Sequence, residues 1–540
     1  MKKYLLLLIG MLSSMGMYAQ DAAEKGIDEK VNDAFMPVAT WWENTVLYPV
    51  PIAGYDIPIV VILLVIGATF FTVYFGFPAV TKFKLAINTV RGKYDEIEGH
   101  GVEKSDVNIV DGDLPDTIRD ESQEGEVSHF QALATAVSGT VGLGNIAGVA
   151  VAIAVGGPGA TFWMIVCGLI GMSTKLVECT LGVKYRDVGP DGTVYGGPMY
   201  YLKRGLAAQN KAILGKVLAV IFAILCVGAS FGGGNAFQSN QAAVQIESML
   251  GLSGGASGMI IGVILAVIVG IVIIGGIKRI ANITEKIVPF MAGIYILASL
   301  VVIFANIKYV GDAFGMIFSG AFTPLAGLGG VLGVLIVGFQ RAAFSNEAGA
   351  GSAAIAHSAV KTKYPASEGV VALLEPFIDT VVICTMTALV IIFFNMDAGA
   401  FEYGNSVSST VLITETGQYI GGVDLTSMAF DSVIPGFRYI LTVAIILFAF
   451  STMISWSYYG LQSWKFLFGR GKKADIVYKV LFLLFVVIGA SATLDAVIKF
   501  SDAMILALVF PNMIGLLFLF PRVREEMTKY VNAIKGVVKN

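Results

Sequence analysis

The stretch SGTVGLGNIAGVA, residues 138–150, decides how this chain is read. It lies in a run with no charged side chain from Gln131 to Met164, yet it holds four glycines, a serine, a threonine and an asparagine. Each glycine in a helix interior costs about 1 kcal/mol relative to alanine. A bilayer-crossing helix built this way comes apart in its middle. Unwound backbone at membrane depth is tolerated only where protein or a water-filled cavity surrounds it. Two readings fit. Glycines four apart, Gly144 and Gly148, suit close helix packing through small residues. Alternatively, freed amides and carbonyls beside the side-chain oxygens of Ser138, Thr140 and Asn145 form a site for a small zwitterion and a hard cation.

The rest of the chain sets this stretch in a membrane. Of 540 residues, 56% are hydrophobic and only 14% charged, and the mean hydropathy is +0.76. Apolar windows about 20 residues long recur throughout. The fold class expected is therefore an all-α polytopic membrane protein. The net charge of −3 resides in loops, and no basic tract or nucleic-acid motif is present. Cys167, Cys179, Cys226 and Cys384 fall in apolar segments without metal-ligand spacing, and the three histidines are scattered. Neither a disulfide framework nor a histidine metal site is expected.

Residues 1–19 read as a signal peptide: Lys2 and Lys3, a short apolar run, and Ala19 before polar sequence. The alternative is an uncleaved first anchor. Eleven candidate spans follow, at 57–79, 131–154, 159–183, 213–245, 257–277, 287–307, 327–345, 368–395, 436–461, 476–498 and 501–521. With the mature N-terminus outside, 27 of the 36 lysines and arginines fall on the inner side. That asymmetry supports both span count and orientation, with a cytoplasmic C-terminus in a bacterial-type inner membrane. The acidic segment from Asp95 to Glu126 reads as a solvated inner loop.

Three other stretches carry chemistry. The span 327–345 ends in GFQRAAFSNEAGAGSA, and its start lies five spans after that of 131–154. A five-plus-five inverted repeat places broken helices at such positions, with the binding site between them. Glu347 is read as a structural partner of Arg341 near the inner surface, or as a proton or cation ligand. On the ninth span, Phe448, Ser451 and Thr452 share one helix face, and two hydroxyls and a carbonyl suit a cation that prefers oxygen. Such hydroxyls also bond back to their own helix. Trp456, one turn on, either walls a pocket or anchors at the interface. In SFGGGNAFQSNQ, residues 230–241, Gln238 either binds a substrate or bridges two helices.

With these residues in view, GGPGATFWM (156–164), YGGPMYYL (195–202), FSNEAGAGSA (344–353) and SWSYYG (455–460) resemble the alanine/glycine:cation symporter family. The resemblance covers nearly the whole chain after the leader. It implies sodium-coupled uptake of alanine, glycine or a similar small neutral amino acid, some members of the family using protons. It also implies a ten-helix inverted-repeat core like that of neurotransmitter:sodium symporters, preceded by one extra span. Domains then run 20–128 (outer segment, extra span and acidic loop), 129–310 and 311–521 (the repeats), and 522–540 (cytoplasmic tail). Carried over residue by residue, backbone at Leu143 and Gly144 holds the substrate carboxylate, with Thr140 and Asn145 lining the break. Gln238, Phe344, Thr452 and Trp456 shape the pocket. Sodium sits between carbonyls near Ser138 and Val141 and the ligands Phe448, Ser451 and Thr452. Position 143 is leucine where some family members carry threonine, which leaves the backbone role intact. No organic cofactor, nucleic acid or obligatory protein partner is implied; membrane lipid surrounds the chain.

Competing classes lack their signatures. A channel needs a repeated filter or a charged ring. An intramembrane enzyme needs a nucleophile with its base, or a metal motif such as HExxH, and an ATP-driven pump needs a Walker A sequence. None appears, so the chain is read as a secondary transporter and not an enzyme. Gly144→Val is expected to block substrate binding, and Phe344→Ala to admit larger amino acids.

Overall fold

The computed structural model describes residues 26–52, 55–98, 125–189, 192–252, 255–323 and 330–538. The segment read as a signal peptide, and most of the acidic loop, lie outside the described residues. The chain is mostly helical. The helices that frame the site are α1 (Ile27–Val46), α2 (Ile59–Tyr74), α3 (His129–Thr140), α4 (Val149–Gly156), α5 (Gly159–Lys184), α6 (Ala212–Phe231), α7 (Phe237–Leu250), α8 (Ser257–Ile273), α9 (Gly276–Ala305), α10 (Val331–Asn346), α11 (Thr385–Ala398), α12 (Phe437–Phe468), α13 (Lys472–Ser491), α14 (Leu494–Ala507) and α15 (Val509–Val538). Shorter helices are named by their residues. Among the described residues, strands form only small antiparallel sheets, such as Pro49–Ile52 with Tyr55–Pro58 in the register Val50↔Ile57.

Seven helical stretches are long and apolar enough to cross a membrane, eight if α3 and the bent continuation Gly144–Gly156 count as one. Three shorter apolar helices, α2, α8 and α10, are also present. The charged end of α9, with Lys278, Arg279, Glu285 and Lys286, continues as helix, so α9 starts well before the apolar run predicted at 287–307. The predicted span 501–521 divides between α14 and α15, and α15 continues through Pro521 to Val538.

Amphipathicity sorts the helices into layers. On α6, α8, α9 and α13, exposed isoleucine, leucine, valine and phenylalanine form outward faces. The stretch 132–154 is buried on every side, as is nearly all of α12 from Phe448 to Ser463. These two central elements meet where the helix of 129–156 breaks. Helix α1 packs against α8, α13 and α14. The Asp28 carboxylate accepts the Gly258 and Met259 amides, each at 3.2 Å, at the start of α8, and Asn32 Oδ1 accepts the Thr493 amide at 3.0 Å.

Candidate functional site

A capping box starts α3: the Gln131 amide donates to Ser128 Oγ at 3.2 Å and the Ser128 amide to Gln131 Oε1 at 3.1 Å. The helix stops at Val141, whose ψ of 86° leaves the helical region. A wide π-helical turn, Gly144–Gly148, then leads into α4. The two halves bend by 49° at this break. The amides of Ile146, Ala147 and Gly148 converge on the Leu143 carbonyl at 3.3, 2.8 and 3.2 Å. The last carbonyls of α3 therefore face the break from one side, and the start of Gly144–Gly156 faces it from the other. Orphan carbonyls carry partial negative charge and helix N-termini partial positive charge.

The negative side meets α12. Ser138 Oγ donates to the Ser451 carbonyl at 2.8 Å, and Thr452 Oγ1 donates to the Ser138 carbonyl at 2.9 Å. Ser451 Oγ donates to the Phe448 carbonyl at 3.0 Å and reaches Met291 Sδ at 3.4 Å. The structure thus joins Ser138, Phe448, Ser451 and Thr452 in one buried oxygen cluster, with Val141 three residues further at the end of α3.

The positive side is held open by two amide side chains. Asn145 Oδ1 accepts the Gly142 amide at 2.9 Å, and Gln238 Oε1 accepts the Leu143 amide at 3.0 Å. Gln238 Nε2 donates to the Gly233 carbonyl of its own helical stretch at 2.9 Å, so it is the bond from Leu143 that ties Gln238 to the broken helix. The Thr140 hydroxyl lies 3.3 and 3.4 Å from the Ala136 and Val137 carbonyls of its own helix. A Cβ on Gly142 would overlap the Thr452 hydroxyl and stand 3.1 Å from Gln238 Oε1. One on Gly144 would meet Phe344 and Ser345 at an ordinary 3.5 Å. Of the glycines in this stretch, the tightest is therefore Gly142, followed by Gly139, whose Cβ would stand 2.9 Å from the Tyr459 hydroxyl.

Phe344 packs edge-on against Phe237, with centroids 5.0 Å apart. Trp456 is 1% exposed, which excludes an interfacial anchor. Its Nε1 donates to Glu347 Oε1 at 2.9 Å, and the indole lies where a Cβ on Gly234 would be. Glu347 ends α10 at φ 56°, an uncommon conformation for a residue other than glycine. It also accepts the Ser352 hydroxyl. The pairing of Glu347 with Arg341 read from the sequence is not formed: Arg341 pairs with Asp502 on α14 and lies over the Phe344 ring.

Two features were missed. Asp379, in another π-helical stretch at Phe377–Cys384, accepts Asn145 Nδ2 at 2.6 Å and Ser345 Oγ at 3.1 Å, so it holds the break and the end of α10 together. A carboxylate inside an apolar span was the available signal. The second is a buried ladder in which glutamates alternate with histidines and a lysine. Glu98 meets His129 Nε2 at 2.6 Å, and His129 Nδ1 meets Glu368. Glu368 meets His357 Nδ1 at 2.5 Å. His357 Nε2 lies 3.5 Å from Glu375, which pairs with Lys175 at 2.9 Å. Glu98, read as part of a solvated loop, is fully buried.

Residues 43–539 match the family model described as the sodium:alanine symporter family. The chain belongs to that family. Among its relatives, the sodium/alanine symporter AgcS of Methanococcus maripaludis is 42% identical over 423 residues, covering 78% of this chain and 88% of that protein. The sodium/proton-dependent alanine carrier protein of Bacillus sp. (strain PS3) is 31% identical over 418 residues, covering 77% and 90%. A probable sodium/glutamine symporter, GlnT of Bacillus subtilis, is 33% identical over 411 residues, covering 76% and 80%. The family is one of amino-acid symporters, and the several apolar helices accord with a multi-pass membrane protein.

Proposed function

We propose that this chain imports alanine, glycine or a similar small neutral amino acid together with sodium, by alternating access. The observation that carries the reading is the break in the helix of 129–156. Its two halves present opposite partial charges into one buried space. The α3 carbonyls near Ser138 and Val141, with Phe448, Ser451 and Thr452, suit a hard cation. The backbone at Leu143 and Gly144 suits a carboxylate, as helix N-termini do elsewhere, the carboxylate taking the place that Gln238 Oε1 holds on the Leu143 amide, with Thr140 and Asn145 beside it. Gln238, Phe344, Thr452 and Trp456 bound the space left for the side chain, and a ring at 344 leaves room for a small one.

The reading extends to architecture. The three shorter apolar helices α2, α8 and α10 complete eleven spans, α2 standing before two five-helix repeats at 129–310 and 311–521. The N-terminus after a cleaved signal peptide is outside and the tail from 522 inside. Glu415 and Lys473, both exposed, test this: a cysteine at 415 should react with impermeant reagent outside cells and one at 473 should not, and the reverse pattern would overturn the orientation.

A second reading, proton coupling, draws on the ladder from Glu98 to Lys175, a buried line of titratable groups. Proteoliposomes separate the two. Sodium symport predicts saturable alanine uptake that follows an imposed sodium gradient and stops when it is collapsed. Uptake that follows only a pH gradient would establish the second reading, and no gradient-driven uptake would defeat both.

A further inference from the structure

Beside the end of α2, away from the break, lies a groove of about 400 Å³. One wall is Tyr74 and the turn that carries Lys82. The other is a single face of α15, where Arg524, Thr528, Asn532 and Lys535 follow one another at helical spacing. Among the described residues, Lys82, Arg524 and Lys535 have no ion-pair partner; Arg524 only rests over the Tyr74 ring, 5.4 Å from its centroid. The carboxylates of α15 are engaged elsewhere, Glu525 with Arg522, and Glu526 with Lys184 and Lys529. No acidic residue lines the groove. Three cations without an ion-pair partner among the described residues therefore line one cleft, with the Asn532 carboxamide between them as a hydrogen-bond donor; the Thr528 hydroxyl donates to the Arg524 carbonyl of its own helix at 2.8 Å.

What frames the groove selects the anion. On one side α2 and the turn after it expose Phe70, Val73, Phe77 and Val80; on the other, the apolar part of α15 exposes Leu517 and Phe518. A soluble anion would use the cations and leave these faces unmet. A ligand with a phosphate at one end and hydrocarbon at the other uses both, and basic pockets between membrane helices recognise such headgroups. We propose that this groove binds the phosphate headgroup of an anionic phospholipid whose acyl chains lie along the exposed faces of α2 and the first half of α15. Arg524 supplies the planar fork that matches phosphate oxygens, and Lys82 and Lys535 supply charge from either side. The lipid then ties α2, the extra N-terminal span, to the C-terminal helix.

The test uses the full chain, purified in neutral detergent with equal amounts of phosphatidylglycerol and phosphatidylcholine, and counts retained lipid by native mass spectrometry. The wild type should retain phosphatidylglycerol preferentially. Joint replacement Lys82→Gln, Arg524→Gln and Lys535→Gln should lower that retention about tenfold or more, as loss of three surface charges near a headgroup requires. Joint replacement of the exposed Lys216, Lys286 and Lys473 by glutamine should leave it unchanged. Thr528→Glu, one exposed substitution that puts a carboxylate in the groove, should abolish it and serves if the triple variant folds poorly. Equal retention of both lipids by the wild type, or wild-type retention by the variants, would overturn the proposal. So would full displacement by inorganic phosphate at matched concentration.

Discussion

Thr452 offers the sharpest test of the cation side. Its Oγ1 lies 2.9 Å from the Ser138 carbonyl and is buried, so it is poised to serve as one oxygen of a cation shell that includes the end of α3. Replacement by valine keeps the shape and removes the oxygen. One lost ligand is worth about 1–2 kcal/mol, or roughly a 5- to 30-fold rise in the sodium concentration that half-saturates transport. Thr452→Ser keeps the oxygen and should stay within about threefold of wild type. The assay is alanine uptake into proteoliposomes at graded sodium. The thermal midpoint without sodium, measured in parallel, isolates the structural part of the loss, because the lost bond to Ser138 also costs about 1 kcal/mol of stability. If Thr452→Val and Ser451→Ala both kept wild-type sodium dependence, the cation site would not be at this crossing.

Gly142→Ala should weaken alanine binding by about 5- to 150-fold, as overpacking by 1–3 kcal/mol implies, while Gly144→Ala stays within about threefold; equal effects in direct binding would show that the contact geometry of the break does not set affinity. Phe344→Ala should admit larger amino acids and weaken alanine several-fold, in keeping with about 0.5–1.5 kcal/mol for a ring contact; unchanged selectivity in competition assays would remove Phe344 from the pocket wall. Lys175→Met should destabilise the fold by about 3–5 kcal/mol, because it removes the cation 2.9 Å from the buried Glu375 and leaves it only His357 at 3.5 Å. Adding Glu375→Gln should recover part of the lost thermal stability, and no recovery would mean that the pair is not the reason.

Much of this was written locally in the sequence. Four glycines and three polar side chains inside an uncharged run announce a broken helix, and the break falls at Val141–Leu143. Phe448, Ser451 and Thr452 share a face because a helix repeats every 3.6 residues, and that face does meet Ser138. What stayed hidden depends on contacts between distant segments. Glu98, His129, Lys175, His357, Glu368 and Glu375 come from five separate stretches of chain, and no spacing links them. Whether Gly142 or Gly144 tolerates a side chain depends on where Thr452 and Gln238 arrive from other helices. Arg341 and Glu347 are opposite charges close in sequence, but six residues apart they do not face each other on a helix, and each finds its partner across the bundle, Asp502 and Trp456. Asp379 is different, since a carboxylate inside an apolar span is visible in the sequence by itself.

The central claim is that one broken helix holds a cation and a carboxylate next to each other. Binding at adjacent sites in one space must be coupled, and the coupling must be reciprocal. The direct measurement is calorimetric titration of the purified full chain: alanine at low and at saturating sodium, then sodium with and without alanine. Sodium should tighten alanine by a factor of about 5–150, and alanine should tighten sodium by that same factor. Alanine affinity that does not change with sodium would contradict the shared site.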